Sequence, residues 1–174
     1  MAMLLLISTS YASKKSGKVQ WVTFEALDSL MLQAPKKVLV DVYANWCTWC
    51  KRMDKDIYNN EQAAAYINEH YYAVKLNAET KEPIVFKGET FTYDKRYKMN
   101  GLALKLCNYE PSLPTTVILN TTLTKSVPFG GYLEIYQMES ILKYYATNAF
   151  ETQKWVDWNR SFIIEWGDAA TKKK

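Results

Sequence analysis

The sequence predicts an α/β fold, a central mixed β-sheet flanked by helices, on three observations. Residues 38–43, Val-Leu-Val-Asp-Val-Tyr, form a nearly unbroken apolar run with β-branched side chains, the pattern of a strand covered on both faces. A second such run at 72–76 follows after two helical stretches, and strand–helix–strand spacing places the two strands parallel. Residues 115–119 and 126–127, joined by a polar turn, read instead as an antiparallel pair. The 174 residues divide into a signal-like segment and linker at 1–18, a domain at 19–150 with an insertion at about 80–106, and an aromatic extension with a basic tail at 151–174.

Each element has a local cause. Residues 19–22 are a short β-prone run, and the Thr23 hydroxyl is placed to cap a helix over 24–33. Leu27, Leu30 and Met31 share one face of that helix, and Pro35 ends it. After the strand at 38–43, a helix opens near Cys47 and runs to about Ile57; Asn60 caps the next one through residues 61–67. The polar stretch 80–100 holds two β-prone runs around Gly88, a hairpin pattern, and 101–107 makes a short helix. Pro111 and Pro114 precede the strand at 115–119; Pro128 is expected to end the strand that begins at Ser126. A long helix is expected over about 133–150. Trp155, Trp158, Phe162 and Trp166 then fall on a single helical stripe, which reads as packed on the domain or as a docking face for a partner.

Composition narrows the function. Lys+Arg 22 against Asp+Glu 18 gives +4, too dilute a basicity to argue for a nucleic-acid partner, and the one basic run, Lys172-Lys173-Lys174, reads as a solvated tail. Three cysteines cannot build a disulfide scaffold, and the odd count leaves one thiol outside any internal bridge. A single histidine, His70, excludes a multi-histidine metal centre; it follows a helix and reads as a surface residue. No run approaches the roughly 18 apolar residues of a membrane span. Residues 3–7, Met-Leu-Leu-Leu-Ile, precede Ser10-Tyr11-Ala12, a small-residue pattern suited to signal cleavage, so the segment reads as the remnant of a secretion signal and the protein as exported. The other reading is an apolar N-terminal strand on a cytoplasmic protein.

The chemistry concentrates at Cys47-Thr48-Trp49-Cys50, where a buried strand passes into a helix. Cysteines at i and i+3 lie on one face of the first turn, close enough for a disulfide. The free N–H groups and positive dipole end favour a thiolate at Cys47, which makes it the nucleophile and Cys50 the resolving thiol. Lys51 and Arg52 add positive potential. A zinc site would need Cys107 and His70 to converge on the pair, so no metal is expected. Trp46 and Trp49 flank the thiols either as an apolar contact surface for extended protein chains or as half-buried packing groups. Cys107 reads as a buried, inert thiol.

The segment Val40-Asp41-Val42-Tyr43-Ala44-Asn45-Trp46-Cys47-Thr48-Trp49-Cys50-Lys51 resembles the active-site segment of the thioredoxin superfamily, in particular the thioredoxin-related bacterial branch that includes the C-terminal domain of the transmembrane disulfide reductase. Three further positions agree. Asp41 stands where the family has its buried acid, Lys75 where it has a lysine on the next strand, and Pro114, between Leu113 and Thr115, where it has its cis-proline. The resemblance spans about residues 19–150 and implies a thioredoxin fold with the insertion before the cis-proline strand. It also implies a thiol:disulfide oxidoreductase of protein disulfides, with Asp41 as proton acceptor for Cys50 and Lys75 moderating its charge. A substrate chain would lie along Trp46, Trp49, Leu113, Pro114, Thr115 and Gly131. No cofactor beyond the Cys47–Cys50 pair is implied, but a recycling thiol/disulfide partner, membrane-bound in that branch, is. One departure stands out: the family's common Gly-Pro between the cysteines is Thr48-Trp49 here, so the resemblance leaves open whether the pair reduces, oxidises or isomerises. The alternative from another class is a redox-inactive module presenting aromatic surface to a partner protein.

Overall fold

The computed structural model describes residues 17–167. Five strands form the main sheet: β1 (Trp21–Val22), β2 (Lys37–Tyr43), β3 (Tyr71–Asn77), β8 (Thr115–Leu119) and β9 (Ser126–Gly130), in the order β1-β3-β2-β8-β9. The first three run parallel and the last two antiparallel, a mixed sheet as the spacing predicts. Between β3 and β8 lie two small ladders, β4 (Ile84–Phe86) with β5 (Glu89–Phe91) and β6 (Tyr93–Asp94) with β7 (Met99–Asn100).

Helices cover both faces. Helix α1 (Phe24–Gln33) starts where Thr23 Oγ1 accepts the Ala26 N–H, and α4 (Gly101–Leu106) where Asn100 Oδ1 accepts that of Leu102. They bury Leu27, Leu102 and Leu106 with Val38, Val40 and Val42 of β2. The other face carries α2 (Thr48–Met53), the π-helical turn Asp54–Tyr58, α3 (Glu61–His70) and α5 (Ile135–Ala146), packed on Leu39 and Ile118. Alternation along β2 therefore aims residues 38, 40 and 42 at one layer and Leu39 and Asp41 at the other, beneath α2.

Three expectations need correction. Pro128 does not end its strand: it lies inside β9 opposite Val117, tolerated because β9 is an edge strand and the missing N–H removes no pairing on the outer side. The long helix stops at Ala146; Asn148 takes a left-handed conformation (φ 58°) and a 3-10 turn, Ala149–Glu151, follows. The C-terminal stripe is helical only over α6 (Trp155–Ser161); past it, the N–H groups of Glu165 and Trp166 are taken by the Glu139 carboxylate instead of by helix carbonyls. The stripe does pack: Trp158 Nε1 donates to the Ser140 carbonyl at 3.2 Å, and Trp166 is buried against Tyr66. The signal-like segment and the Lys172–Lys174 tail lie outside the described residues. Among those described, no helix is long and apolar enough to cross a membrane.

Candidate active site

Strand β2 ends at Tyr43, and four residues later Cys47 caps α2: its Sγ accepts the Cys50 N–H at 3.1 Å. Cys47 and Cys50 are joined in a disulfide with Cα atoms 5.3 Å apart. Both cysteines are buried, Cys47 3% exposed and Cys50 4%, packed with Ala44, Tyr43 and Leu113. The two tryptophans lie on the rim, Trp46 66% exposed and Trp49 53%. They are not loose. Trp46 Nε1 donates to Glu79 Oε1 at 2.9 Å. Trp49 stacks beside Tyr132 (centroids 5.5 Å), with the Arg52 guanidinium 5.4 Å from both rings and Asp56 binding both Arg52 and the Tyr132 hydroxyl.

On the neighbouring loop the Leu113–Pro114 peptide bond is cis, and the Pro114 carbonyl accepts the Gly131 N–H at 2.7 Å. Gly131 has φ +92°, which glycine adopts without strain, and a Cβ there would meet only open space. Leu113 packs against Cys47 and Cys50, and the cis bond and the Pro114–Gly131 hydrogen bond join Pro114 and Gly131 to it in sequence and by backbone pairing. The Thr115 side chain is buried, donating to the Ser112 carbonyl, and only its backbone, paired with Gly130, belongs to this edge.

Beneath the helix, Asp41 pairs in register with Lys75 of β3 and Thr116 of β8. Asp41 Oδ2 lies 3.2 Å from Lys75 Nζ, while Asp41 Oδ1 is buried with no hydrogen-bond partner among the described residues. Burial pushes the Asp41 carboxyl from 3.8 up to about 6, opposed by the Lys75 charge and assisted by that of Asp54. Lys75 also pairs with Asp54, at the start of the π-helical turn, and lies 4.9 Å from the Trp21 ring centroid and 5.2 Å from that of Tyr43. Burial draws the Lys75 ammonium down, but its hydrogen bond to Asp54 and the two carboxylate charges outweigh that, and the net shift is upward. Such a chain can hold a proton at Asp41 and links it through Lys75 to the half-exposed Asp54.

Asp54, Glu79, Tyr132 and Asp56 are absent from the sequence reading. Only Asp56 carried a signal, its i,i+4 spacing from Arg52. Cys107 is buried, and burial pushes its thiol up to about 11, an unreactive state. His70 ends α3 with its ring 4.2 Å from that of Tyr66. Among the described residues no group of three or more His, Cys, Asp or Glu side chains is placed to hold a metal ion.

Comparison with solved structures supports the fold. A thioredoxin-fold protein from Helicobacter pylori is 23% identical, with a TM-score of 0.58 over 72% of this chain and 83% of that one. A DsbH oxidoreductase matches at 17% identity (TM-score 0.47; 67% and 75% of the two chains). The oxidised DsbD C-terminal domain of Neisseria meningitidis matches at 20% (TM-score 0.45; 75% and 99%). No curated protein sequence matches. The family model described as "Thioredox_DsbH: Protein of unknown function, DUF255" matches residues 4–133, three quarters of the chain, and this protein belongs to that thioredoxin-fold family.

Proposed function

We propose that the chain is a thiol:disulfide oxidoreductase acting on protein disulfides. The observation that carries this reading is the Cys47–Cys50 disulfide at the mouth of α2, with a buried carboxyl raised to about 6 on the strand beneath it. In the reduced enzyme the Cys47 thiolate, favoured by the helix end, attacks one sulfur of the substrate disulfide. That S–S bond breaks, the departing thiolate keeps the electron pair, and a mixed disulfide forms on Cys47. Cys50 gives its proton to Asp41 and attacks Cys47 Sγ; the second substrate thiolate leaves, takes up a proton, and the enzyme is left oxidised. Lys75 limits the charge that accumulates at Asp41. A partner dithiol then restores the pair.

A substrate chain would lie along Trp46, Trp49, Leu113, Pro114 and Gly131; the exposure of both tryptophans, the packing of Leu113 on the cysteines and the open space at Gly131 support an extended polypeptide there. The resemblance to the bacterial envelope branch and the signal-like residues 3–12 support an exported protein recycled by a membrane-bound donor. One observation favours the second reading, a partner-binding module: both sulfurs are shielded while both tryptophans are exposed. Trapping separates the two. Cys50→Ala is expected to stall covalent, thiol-releasable adducts on Cys47, and Cys47→Ser to abolish reduction of insulin disulfides by dithiothreitol-reduced protein. Full activity in Cys47→Ser would overturn the Cys47 mechanism, and partner capture lost only with Trp46→Ala and Trp49→Ala would establish the module instead.

A further inference from the structure

We propose that α5 and the C-terminal extension complete a second binding site, at the far end of the sheet from the cysteines, for a small organic monoanion with an apolar body. A cavity of about 320 Å³ opens there. This is at the small end of the roughly 300–1,000 Å³ in which small ligands bind. Its floor is Ile118 of β8 and Val127 of β9; its walls are Tyr144 and Tyr145 of α5, Phe150 and Trp155. The walls brace one another, with Tyr144 and Trp155 rings 5.2 Å apart and those of Tyr145 and Phe150 5.5 Å apart. The Tyr144 hydroxyl is already used, donating to the Gln153 carbonyl at 2.7 Å. Phe150 and Trp155 are among the exposed large apolar side chains, so the aromatic surface reaches solvent at the mouth.

Two lysines supply the polar end. Lys37 and Lys125 line the same cavity. Lys37 Nζ donates to the neutral Asn148 Oδ1 at 2.6 Å, and among the described residues no carboxylate oxygen lies within 4 Å of either ammonium. Burial draws the Lys37 ammonium down, opposed by the more distant charge of Glu151. Cations without an anionic partner beside an apolar wall favour an occupant that brings a carboxylate or sulfonate head to them and buries a hydrocarbon body against the rings.

The position separates this site from the thiols. Lys37 begins β2 and Cys47 lies beyond its other end, a strand of seven residues spanning roughly 20 Å. Every aromatic wall residue follows residue 133, where the family match ends, and Trp155 comes from the C-terminal extension itself.

The shared chemistry, an apolar monoanion, has an aliphatic and an aromatic form. Calorimetric titration of the oxidised full-length protein with decanoate, 4-phenylbutyrate and decylamine distinguishes them. Saturable one-to-one binding is expected for at least one acid, the tighter acid naming the form, with decylamine at least about tenfold weaker. Lys37→Met with Lys125→Gln is expected to weaken the acid about tenfold, and the exposed Lys125→Gln alone about threefold. Glu151→Gln is expected to tighten it. The proposal is overturned if neither acid saturates, if the amine binds as well as the acids, or if the double variant, folded by its thermal melt, binds undiminished. Because the oxidised protein is titrated, the outcome is independent of whether Cys47 and Cys50 perform exchange.

Discussion

Asp41 and Glu139 are both buried carboxylates on the same side of the sheet, and their surroundings are opposite. Glu139 on α5 is saturated with donors: the Glu165 N–H reaches both its oxygens at 3.0 and 3.1 Å, the Trp166 N–H reaches Oε2 at 2.9 Å, and Lys143 Nζ reaches Oε1 at 2.7 Å. Asp41 has one cation beside one oxygen and, among the described residues, no hydrogen-bond partner on the other. A buried carboxylate whose oxygens all meet donors serves as a fixture; one with an orphan oxygen gains by taking up a proton. The first pins the C-terminal segment to the core. The second has its carboxyl raised by burial to about 6, the property that the proposed proton transfer uses.

Breaking the fixture should have the largest effect on stability. Glu139→Leu strands two backbone N–H groups and half of the Lys143 pairing, and is expected to cost about 3–5 kcal/mol in urea unfolding. Glu139→Gln keeps an acceptor and should cost about half as much. A loss under about 1 kcal/mol in Glu139→Leu would mean that the C-terminal segment is held by Trp166 packing alone.

Asp41 should respond with the opposite sign. Its carboxyl is raised in the folded protein from 3.8 to about 6, so the folded state binds the proton more readily than the unfolded one. Stability is then highest with the carboxyl protonated and falls as pH rises from about 4 to about 6. A shift of about 2 units at about 1.4 kcal/mol each gives a penalty of about 3 kcal/mol above that window. Asp41→Asn is therefore expected to stabilise by up to about 3 kcal/mol at pH 8 and by nothing at pH 4, while slowing mixed-disulfide resolution at neutral pH. Equal stabilisation at both pH values would show that Asp41 is not the titrating group.

What was legible in the sequence follows from the range of each interaction. The span of α1 comes from Thr23 and the β2 core from its apolar run, both local patterns. The Cys47–Cys50 geometry is likewise contained in four residues. Glu139 was invisible because its i,i+4 partner Lys143 reads as a surface pair, while its decisive donors lie 26 and 27 residues away. Pro128 misled because its tolerance depends on β9 being at the sheet edge, a property of topology. Asp54 was missed for a different reason: the chain passes from α-helix to a π-helical turn at that residue, so a 3.6-residue period gives no signal that its side chain reaches Lys75 on β3.

That last residue gives the finest test of the comparison. Lys75 is shared: Asp54 binds it from the surface side and Asp41 from beneath. The Asp54 charge also pushes the Asp41 carboxyl upward. Asp54→Asn removes that repulsion and leaves the ammonium to Asp41, so both changes favour the ionised Asp41. The pH at which stability falls should move to the acidic side. Overall stability should change by less than about 1 kcal/mol, because the Asp54 side chain is 43% exposed and its pairing is screened by water. Asp54→Glu, which restores the charge, should return the inflection toward that of the parent protein. Paired urea titrations across pH 4–8 read both quantities at once. An unmoved inflection with a large stability loss would make Asp54 a fixture of the Glu139 kind; a moved inflection with little loss makes it the surface end of a proton-handling chain that begins at Asp41.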